Sequence, residues 1–168
     1  MFNVFGFYKF TKLSSLEKNK IVLQKLFLDF DIRGTLIISK EGINGTLSGK
    51  SKSINIVKKR IKNLFKFINF DSQNLSKSTF QPFHRSKVKI KNEVVPIGLN
   101  ISTKNKKSNH INPEKWNKLL EDKNTFILDA RKPFEYEMGS FKKAINPKVK
   151  HFREFPKYLN KLNKKKPV

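Results

Sequence analysis

The sequence predicts an α+β domain at the amino terminus, followed by a smaller α/β unit. Two observations carry this prediction. Strand-like and helix-like segments alternate through the first hundred residues. A polar, basic stretch without periodicity, NISTKNKKSNHIN at 100–112, then separates them from a new helix and strand. We therefore expect a first domain at 1–99, a linker at 100–112 and a second domain at 113–168.

Four strands of the first domain are indicated by short runs of aromatic and β-branched residues. The first run covers 2–10. The runs at 35–39 and 43–47 flank the turn Lys40-Glu41-Gly42 and predict a hairpin. A fourth strand is expected within 83–95.

Two helices of the first domain are indicated by apolar residues near helical spacing. Ser14 or Ser15 is expected to cap the first helix and Gly34 to end it, while Ser51 or Ser53 opens the second. The predicted inward faces are Leu16, Ile21, Leu23, Leu26, Phe27 and Phe30 in the first helix, and Ile54, Val57, Ile61, Leu64, Phe65 and Ile68 in the second.

The resulting order, strand, helix, strand, strand, helix, strand, is that of the split βαβ or ferredoxin-like arrangement. An alternative is a less regular α+β domain with a broken fourth strand, because residues 71–79 are polar and rich in turn formers.

The second unit begins with a helix that Asn112 can cap and whose first residue is Pro113. The apolar run TFILDA at 125–130 is typical of a strand in a parallel sheet. A short helix or turn at 132–137 and a last helix at 152–162 are expected to follow.

The charge of the chain is strongly positive, with a formal net charge of +24. Between Gly42 and Asn112, fifteen Lys and Arg face only two acids, Asp71 and Glu93. Such a field attracts polyanions, so a nucleic-acid partner is a candidate. The alternative is compositional: only five of the 37 basic residues are Arg, as expected from an AT-rich coding sequence.

Several function classes are excluded by composition. The absence of cysteine excludes disulfides, thiolate metal sites and thiol catalysis within these residues. The three His are dispersed, so we predict no metal site and no cofactor. Residues 2–10 lack the features of a signal peptide, and no apolar run approaches the roughly 18 residues of a membrane span. We expect a cytoplasmic protein without a membrane segment.

The hairpin sequence ISKEGINGTLSG places polar side chains beside a glycine-bearing bend. There, Lys40, Glu41 and Asn44 could approach a ligand together with backbone amides. The alternative is a structural turn in which Gly42 supplies a positive φ.

A second basic feature is the strand-like alternation from Lys87 to Lys91. It places Lys87, Lys89 and Lys91 on one face and apolar residues on the other. Together with Arg85, these lysines suit a phosphate backbone, although a solvated strand face has the same pattern.

Aromatic residues precede that strand. Phe80, Phe83 and His84 could stack on the bases of single-stranded RNA, or the two Phe could belong to the core.

Three segments in this order, IISKEGINGTL, KVKIKNEVVPIGL and LDARKPFEYEMGSFKKAINP, resemble the bacterial rhodanese-like tRNA uridine hydroxylases over nearly the whole chain. The resemblance implies an α+β ferredoxin-like (split βαβ) domain followed by an incomplete α/β rhodanese-like domain. It also implies tRNA as partner and hydroxylation of the wobble uridine to 5-hydroxyuridine as the family's reaction.

Residues carried over from the resemblance fall in two groups. Lys40, Glu41, Gly42, Ile43 and Asn44 match the amino-terminal signature, and Asp129, Arg131, Glu135 and Gly139 match the rhodanese signature. We expect Asp129 to accept backbone amides of its turn, and Arg131 to pair with Glu135 four residues on. Such contacts would support the active site. Alternatively, Asp129 only caps the start of a helix.

The chain departs from the family at two points. Ser140 stands where many rhodanese domains have a histidine, which we interpret as tolerated variation. The loop with the persulfide-bearing cysteine is missing and is expected beyond Val168, so we predict no family-type activity from this chain alone. An incomplete sheet should also expose apolar surface after Pro113. The rival hypotheses are a non-catalytic RNA-binding protein and a rhodanese-type sulfurtransferase.

Overall fold

The computed structural model describes residues 1–98 and 111–162. The chain divides into two units, Met1–Val95 and Pro96–Val168. Most of the predicted linker, residues 100–110, lies outside the described residues.

The first unit contains five strands and two helices. In chain order they are β1 (Phe2–Phe10), α1 (Leu16–Asp29), β2 (Arg33–Ser39), β3 (Gly42–Gly49), α2 (Ser51–Phe65), β4 (Ser72–Ser78) and β5 (Ser86–Ile90). The second unit contains α3 (Pro113–Glu121), α4 (Pro133–Glu137), a 3-10 turn (Phe152–Glu154) and α5 (Phe155–Leu159).

The strands of the first unit form one mixed sheet in the order β4-β1-β3-β2-β5. The pairs β1–β3, β1–β4 and β2–β3 are antiparallel, and β5 is parallel to β2. The first four strands with the two helices have the ferredoxin-like arrangement, so that prediction is confirmed. The fifth strand extends the sheet beyond β2.

Both helices pack on the same face of this sheet. Leu23 and Phe27 of α1 and Ile54, Val57 and Ile61 of α2 are almost completely buried. They meet the inward side chains of the strands, which are Phe5, Phe7, Leu36, Ile38, Ile43, Leu47 and Val88. Burial of apolar side chains between the layers is therefore the main stabilising term, and the opposite face of the sheet has no helix from this unit.

The predicted strand within 83–95 is present as Ser86–Ile90, but it is the fifth strand and not the fourth. The fourth is the polar segment Ser72–Ser78, which lies in the stretch that was expected to be rich in turns. This strand lies at the edge of the sheet with almost every residue exposed, Leu75 included at 56%. Strand β4 is held by backbone pairing with β1, and its side chains lie in solvent. Its sequence therefore shows no hydrophobic alternation.

The predicted ends of the helices are only partly right. Helix α2 begins at Ser51, as predicted, with Lys50 at its N-cap position. Ser15 occupies the N-cap position of α1, but it has a left-handed backbone and its side chain makes no capping hydrogen bond. Helix α1 ends at Asp29, whereas Gly34 lies in β2 with φ 121°, where a Cβ would be 2.2 Å from the Thr46 carbonyl oxygen. Close approach of two strands, and not helix termination, therefore requires this glycine. Two residues predicted to face inward, Ile21 and Ile68, are 66% and 83% exposed.

The second unit has little regular sheet. Asn112 caps α3 as predicted, accepting a hydrogen bond from the Lys115 amide at 2.9 Å. The predicted strand at 125–130 is reduced to one parallel bridge between Leu128 and Ile145. The predicted last helix is divided into the 3-10 turn and the short α5.

Apolar surface is exposed in this second unit, as expected. Among its described apolar residues only Ile127 and Ala144 are buried, whereas Phe134, Met138 and Phe141 are more than half exposed. In residues 1–98 and 111–162, no helix is long and apolar enough to cross a bilayer.

Candidate functional site

The helix-free face of the first unit presents a continuous row of side chains across four strands. The register places Lys87 of β5 beside Thr35 of β2, and Thr35 beside Thr46 of β3. One step along, Lys89, Ile37, Asn44 and Tyr8 form a parallel row. We call this surface the open face.

The alternation predicted for β5 is confirmed. Val88 is 5% exposed and joins the core, while Lys87, Lys89 and Lys91 are exposed. Arg85, immediately before the strand, is also exposed, and its carbonyl accepts a hydrogen bond from the Gly34 amide at 2.8 Å. These four cations have no ion pair within the described parts of the chain. We call them the basic strand.

Most residues of the amino-terminal signature, Lys40 to Asn44, have structural roles. The carbonyls of Lys40 and Glu41 accept hydrogen bonds from the amides of Leu13 and Thr11, at 3.0 and 2.9 Å. The Glu41 carboxylate accepts from the Val94 amide at 2.6 Å, which ties the hairpin to the segment after β5. These contacts favour the structural-turn interpretation of Lys40 and Glu41.

Gly42 has the same structural role, with φ 150°. A Cβ at this position would lie 2.1 Å from the Lys9 carbonyl oxygen, so the pairing of β1 with β3 requires glycine here. Ile43 is fully buried in the core.

Asn44 differs from the rest of the signature because it lies on the open face. It is half-buried, and its side-chain amide makes no hydrogen bond to any described residue. Asn44, Thr35, Ile37, Thr46 and Phe83 line a cavity of about 230 Å³. A neighbouring cavity of about 350 Å³ is lined by Phe83, His84, Arg85 and Lys87.

The second unit has its own polar cluster at the turn after Leu128. The Arg131 amide donates to Asp129 Oδ1 at 3.1 Å, which confirms that Asp129 accepts a backbone amide of its turn. The Arg131 guanidinium donates to both carboxylate oxygens, with Nη2 to Oδ2 at 2.6 Å. Ser140 Oγ donates to the same Oδ2 at 2.6 Å, and Arg131 Nη2 also donates to the Gly139 carbonyl at 2.7 Å. The cluster thus joins both ends of the α4 segment.

The predicted pairing of Arg131 with Glu135 was wrong. Arg131 precedes α4, which begins at Pro133, so the spacing of four residues does not place these side chains on one helix face. Glu135 instead accepts a hydrogen bond from the Lys132 amide at 3.0 Å, within the first turn of α4.

The Asp129 carboxylate is held ionised. Hydrogen bonds from the Arg131 side chain, and secondly from Ser140, lower its pKa far below its ordinary value of 3.8. Its negative charge is therefore present throughout the neutral range and holds the guanidinium in place.

Sequence reasoning missed Asn146, which connects the cluster. Its Nδ2 donates to the carbonyls of Asp129 and Arg131 at 2.9 and 2.7 Å, and its Oδ1 accepts from the Lys148 amide at 2.8 Å. Asn146 is 7% exposed. The position of an asparagine directly before Pro147, in the matched segment, was the available signal.

The cluster faces a cavity of about 470 Å³ that also includes Trp116, Leu128 and Phe141. The chain has no cysteine, and within the described residues no group of His, Asp and Glu could hold a metal ion. The cluster contains a hydrogen-bonded charge pair, Asp129 and Arg131.

Comparison with known proteins places the chain in a family. Residues 2–94 match the UPF0176 acylphosphatase-like domain. The chain is 61% identical, over 168 residues, to a protein of Pelagibacter ubique (strain HTCC1062) named tRNA uridine(34) hydroxylase, and the match covers 100% of this chain and 56% of that protein. A Legionella pneumophila (strain Corby) protein of the same name is 32% identical over 169 residues, with 95% and 64% covered.

Among solved structures, the acylphosphatase from Bacillus subtilis is 12% identical and matches with a TM-score of 0.38 over 52% of this chain and 97% of that one.

The two-helix, mixed-sheet first unit is an acylphosphatase-like domain of ferredoxin-like topology. The chain belongs to the UPF0176 family. The resemblance to tRNA uridine hydroxylases is confirmed by relatives that carry that name. The chain spans 56% and 64% of the lengths of these two relatives.

Proposed function

We propose that this chain is the tRNA-binding portion of a tRNA uridine(34) hydroxylase, an oxidoreductase that converts the wobble uridine to 5-hydroxyuridine. The names of the two relatives support the reaction and the substrate. The observation that carries the proposal for this chain is the basic strand, whose four exposed cations lack acidic partners in the described residues. We propose a cytoplasmic location, because tRNA is the proposed substrate.

The physical basis of tRNA binding is the phosphate backbone. Alternate residues of a strand are about 6.6 Å apart, so Lys87, Lys89 and Lys91 present three charges along one line. Each phosphate that they neutralise releases counterions and adds about 0.7 to 0.9 to the salt dependence of binding. The net charge of +24 adds long-range attraction.

We further propose that 113–168 forms part of a rhodanese-like domain, joined to the domain at 1–99 by the linker at 100–112. The turn of Asp129 after a parallel bridge supports this assignment. In this proposal Asp129, Arg131, Glu135 and Gly139 position the active site without reacting themselves.

The experiment compares two proteins. One is this chain, and the other is a chimera that adds, after Val168, the remaining part of the Pelagibacter ubique relative. The binding of each protein to tRNA is measured. Each protein is also expressed in a bacterium that lacks its own hydroxylase, and the 5-hydroxyuridine content of the tRNA is measured by mass spectrometry. We expect both proteins to bind tRNA and only the chimera to produce 5-hydroxyuridine.

A non-catalytic RNA-binding protein is the second candidate, favoured by the complete first unit and the absence of cysteine. If the chimera binds tRNA but leaves it unmodified, while the intact relative restores 5-hydroxyuridine, this second candidate replaces the hydroxylase. Thiosulfate-dependent sulfur transfer by the chimera, independent of tRNA, would instead support a sulfurtransferase.

A further inference from the structure

We propose that the two neighbouring cavities on the open face form a subsite for one unpaired nucleotide, with the base against Phe83 and its phosphate at Arg85 and Lys87. The inference rests on the proposed tRNA function and specifies how the RNA is recognised. It assigns a role to Phe83 and Asn44.

The two cavities share Phe83 and Thr35, so they are adjacent. Beyond Phe83, one cavity is lined by neutral side chains and the other by His84, Arg85 and Lys87. A nucleotide has the same division, with a neutral planar base and an anionic phosphate. The arrangement therefore matches a nucleotide better than a simple anion, which would need only the basic cavity.

The base side of the subsite combines an aromatic ring with hydrogen-bonding groups. Phe83 supplies a stacking surface, and Ile37 supplies apolar contact area. The Asn44 amide offers donors and an acceptor, and it has no partner among the described residues. Pairing of Asn44 with Tyr8 and with Ile37 on the neighbouring strands fixes its position on the sheet.

The phosphate side is placed by the backbone of β5. The Gly34 amide donates to the Arg85 carbonyl at 2.8 Å, and Lys87 pairs with Thr35 in the parallel ladder. These contacts hold Arg85 and Lys87 at the larger cavity, which Thr35 also lines. Glu41, the acid of the β2–β3 turn, is already bonded to the Val94 amide.

The segment that carries Phe83 is attached to the same face. Gln81 Oε1 accepts a hydrogen bond from Ser48 Oγ, and Ser48 is completely buried. This contact holds the connection between β4 and β5 over the sheet. Phe83 is therefore positioned before any ligand binds, which lowers the entropy cost of stacking.

The chemistry of the site selects an unpaired nucleotide. Bases in an A-form helix are stacked on their neighbours and cannot insert beside an aromatic side chain, whereas loop nucleotides can. A tRNA loop offers such nucleotides, so the subsite would read a loop while Lys89 and Lys91 contact the flanking backbone.

The test measures the affinity of the full chain for two RNA probes of equal length. One is an anticodon stem-loop and the other is a blunt duplex. Phe83→Leu keeps an apolar side chain but removes the stacking surface, and Phe83→Trp restores it. Phe134→Leu is the matched control, because Phe134 is 57% exposed and lines neither cavity.

We expect Phe83→Leu to weaken stem-loop binding about ten-fold and to leave the salt dependence unchanged, since no cation is lost. Phe83→Trp and Phe134→Leu should bind like the unaltered chain, and duplex binding should be the same for all four proteins. Unaltered stem-loop affinity of Phe83→Leu, with an unchanged melting temperature, would overturn the subsite.

The same titrations separate this subsite from the proposed function. If the unaltered chain prefers the stem-loop but Phe83→Leu has no effect, the subsite is wrong and tRNA binding stands. If the unaltered chain binds neither probe at low salt, tRNA binding itself is wrong, and the subsite fails with it.

Discussion

The two units of this chain are stabilised by different kinds of interaction. The first buries a continuous core between a five-stranded sheet and two helices, with Phe27 and Leu23 at 0% exposure. The described residues of the second contain one parallel bridge, two buried apolar residues and a turn held by charged hydrogen bonds around Asp129. Hydrophobic burial is thus the main source of order in the first unit, and directional polar contacts contribute more in the second.

The largest expected effect concerns the buried core. Phe27→Ala should lower the free energy of unfolding by about 3–5 kcal/mol, because a large side chain is removed from a closely packed interior. Ile127→Ala in the second unit should cost less, about 2 kcal/mol, since Ile127 already lines a cavity of about 470 Å³ and is packed less closely. Urea denaturation measures both losses. Circular dichroism follows the unfolding of the first unit, and fluorescence of the single tryptophan, Trp116, follows that of the second.

Leu28→Ala, which removes a side chain that is 76% exposed on the same helix, is the control and should change stability little. Equal losses for Phe27→Ala and Leu28→Ala would contradict the proposed core.

Two glycines with nearly the same backbone sharpen the comparison. Gly42 has φ 150° and Gly139 has φ 148°, so alanine is strained at both positions. A Cβ at Gly42 would lie 2.1 Å from a carbonyl oxygen, whereas none of the described atoms lies within 4 Å of one at Gly139. Gly139→Ala should therefore cost about 1–2 kcal/mol of strain, and Gly42→Ala clearly more. The melting temperatures measure the order, and the reverse order would contradict the crowding at Gly42.

Acidic pH should affect the second unit through Asp129. Its pKa is lowered on folding, so its contribution to stability is complete above the ordinary value of 3.8 and decreases as the pH falls below that value toward the folded pKa. Trp116 fluorescence during acid titration reports the change. Asp129→Asn should remove most of this dependence, while Glu137→Gln, at an exposed position of α4, should retain it.

The smallest effect is expected at Ser140. Ser140→Ala removes one hydrogen bond to Asp129 and should destabilise the turn by about 1 kcal/mol, and Ser140→Thr should restore part of it. The midpoint of urea denaturation by Trp116 fluorescence gives the values. No difference between the alanine and threonine variants would show that the hydroxyl contributes nothing.

Much of the first unit follows from the sequence because burial leaves a pattern. The bounds of β1 and the face of α2 that carries Ile54, Val57 and Ile61 could be predicted from alternation and helical spacing. Strand β4 could not, because its pairing uses the backbone and leaves its side chains in solvent.

The candidate sites also contain features that the sequence pattern predicts and features that it does not. The exposed side of β5 was predictable from strict alternation. The bond of Arg131 to Asp129 crosses a turn, and the bond of Asn146 to the Asp129 carbonyl joins residues 17 apart. No local periodicity encodes either contact, and the cavities beside Phe83 depend on how the β4–β5 connection crosses the sheet.

The central claim is that the basic strand binds the tRNA backbone. The direct measurement is tRNA affinity across a salt titration for the triple variant Lys87→Gln, Lys89→Gln, Lys91→Gln. Its control is Lys18→Gln, Lys25→Gln, Lys59→Gln, which removes the same charge from exposed positions of the two helices. We predict that the first variant binds more weakly, with a salt dependence lower by about 2–3, and that the control changes little. Equal losses in both variants would show that only net charge matters and would contradict the basic strand as the tRNA surface.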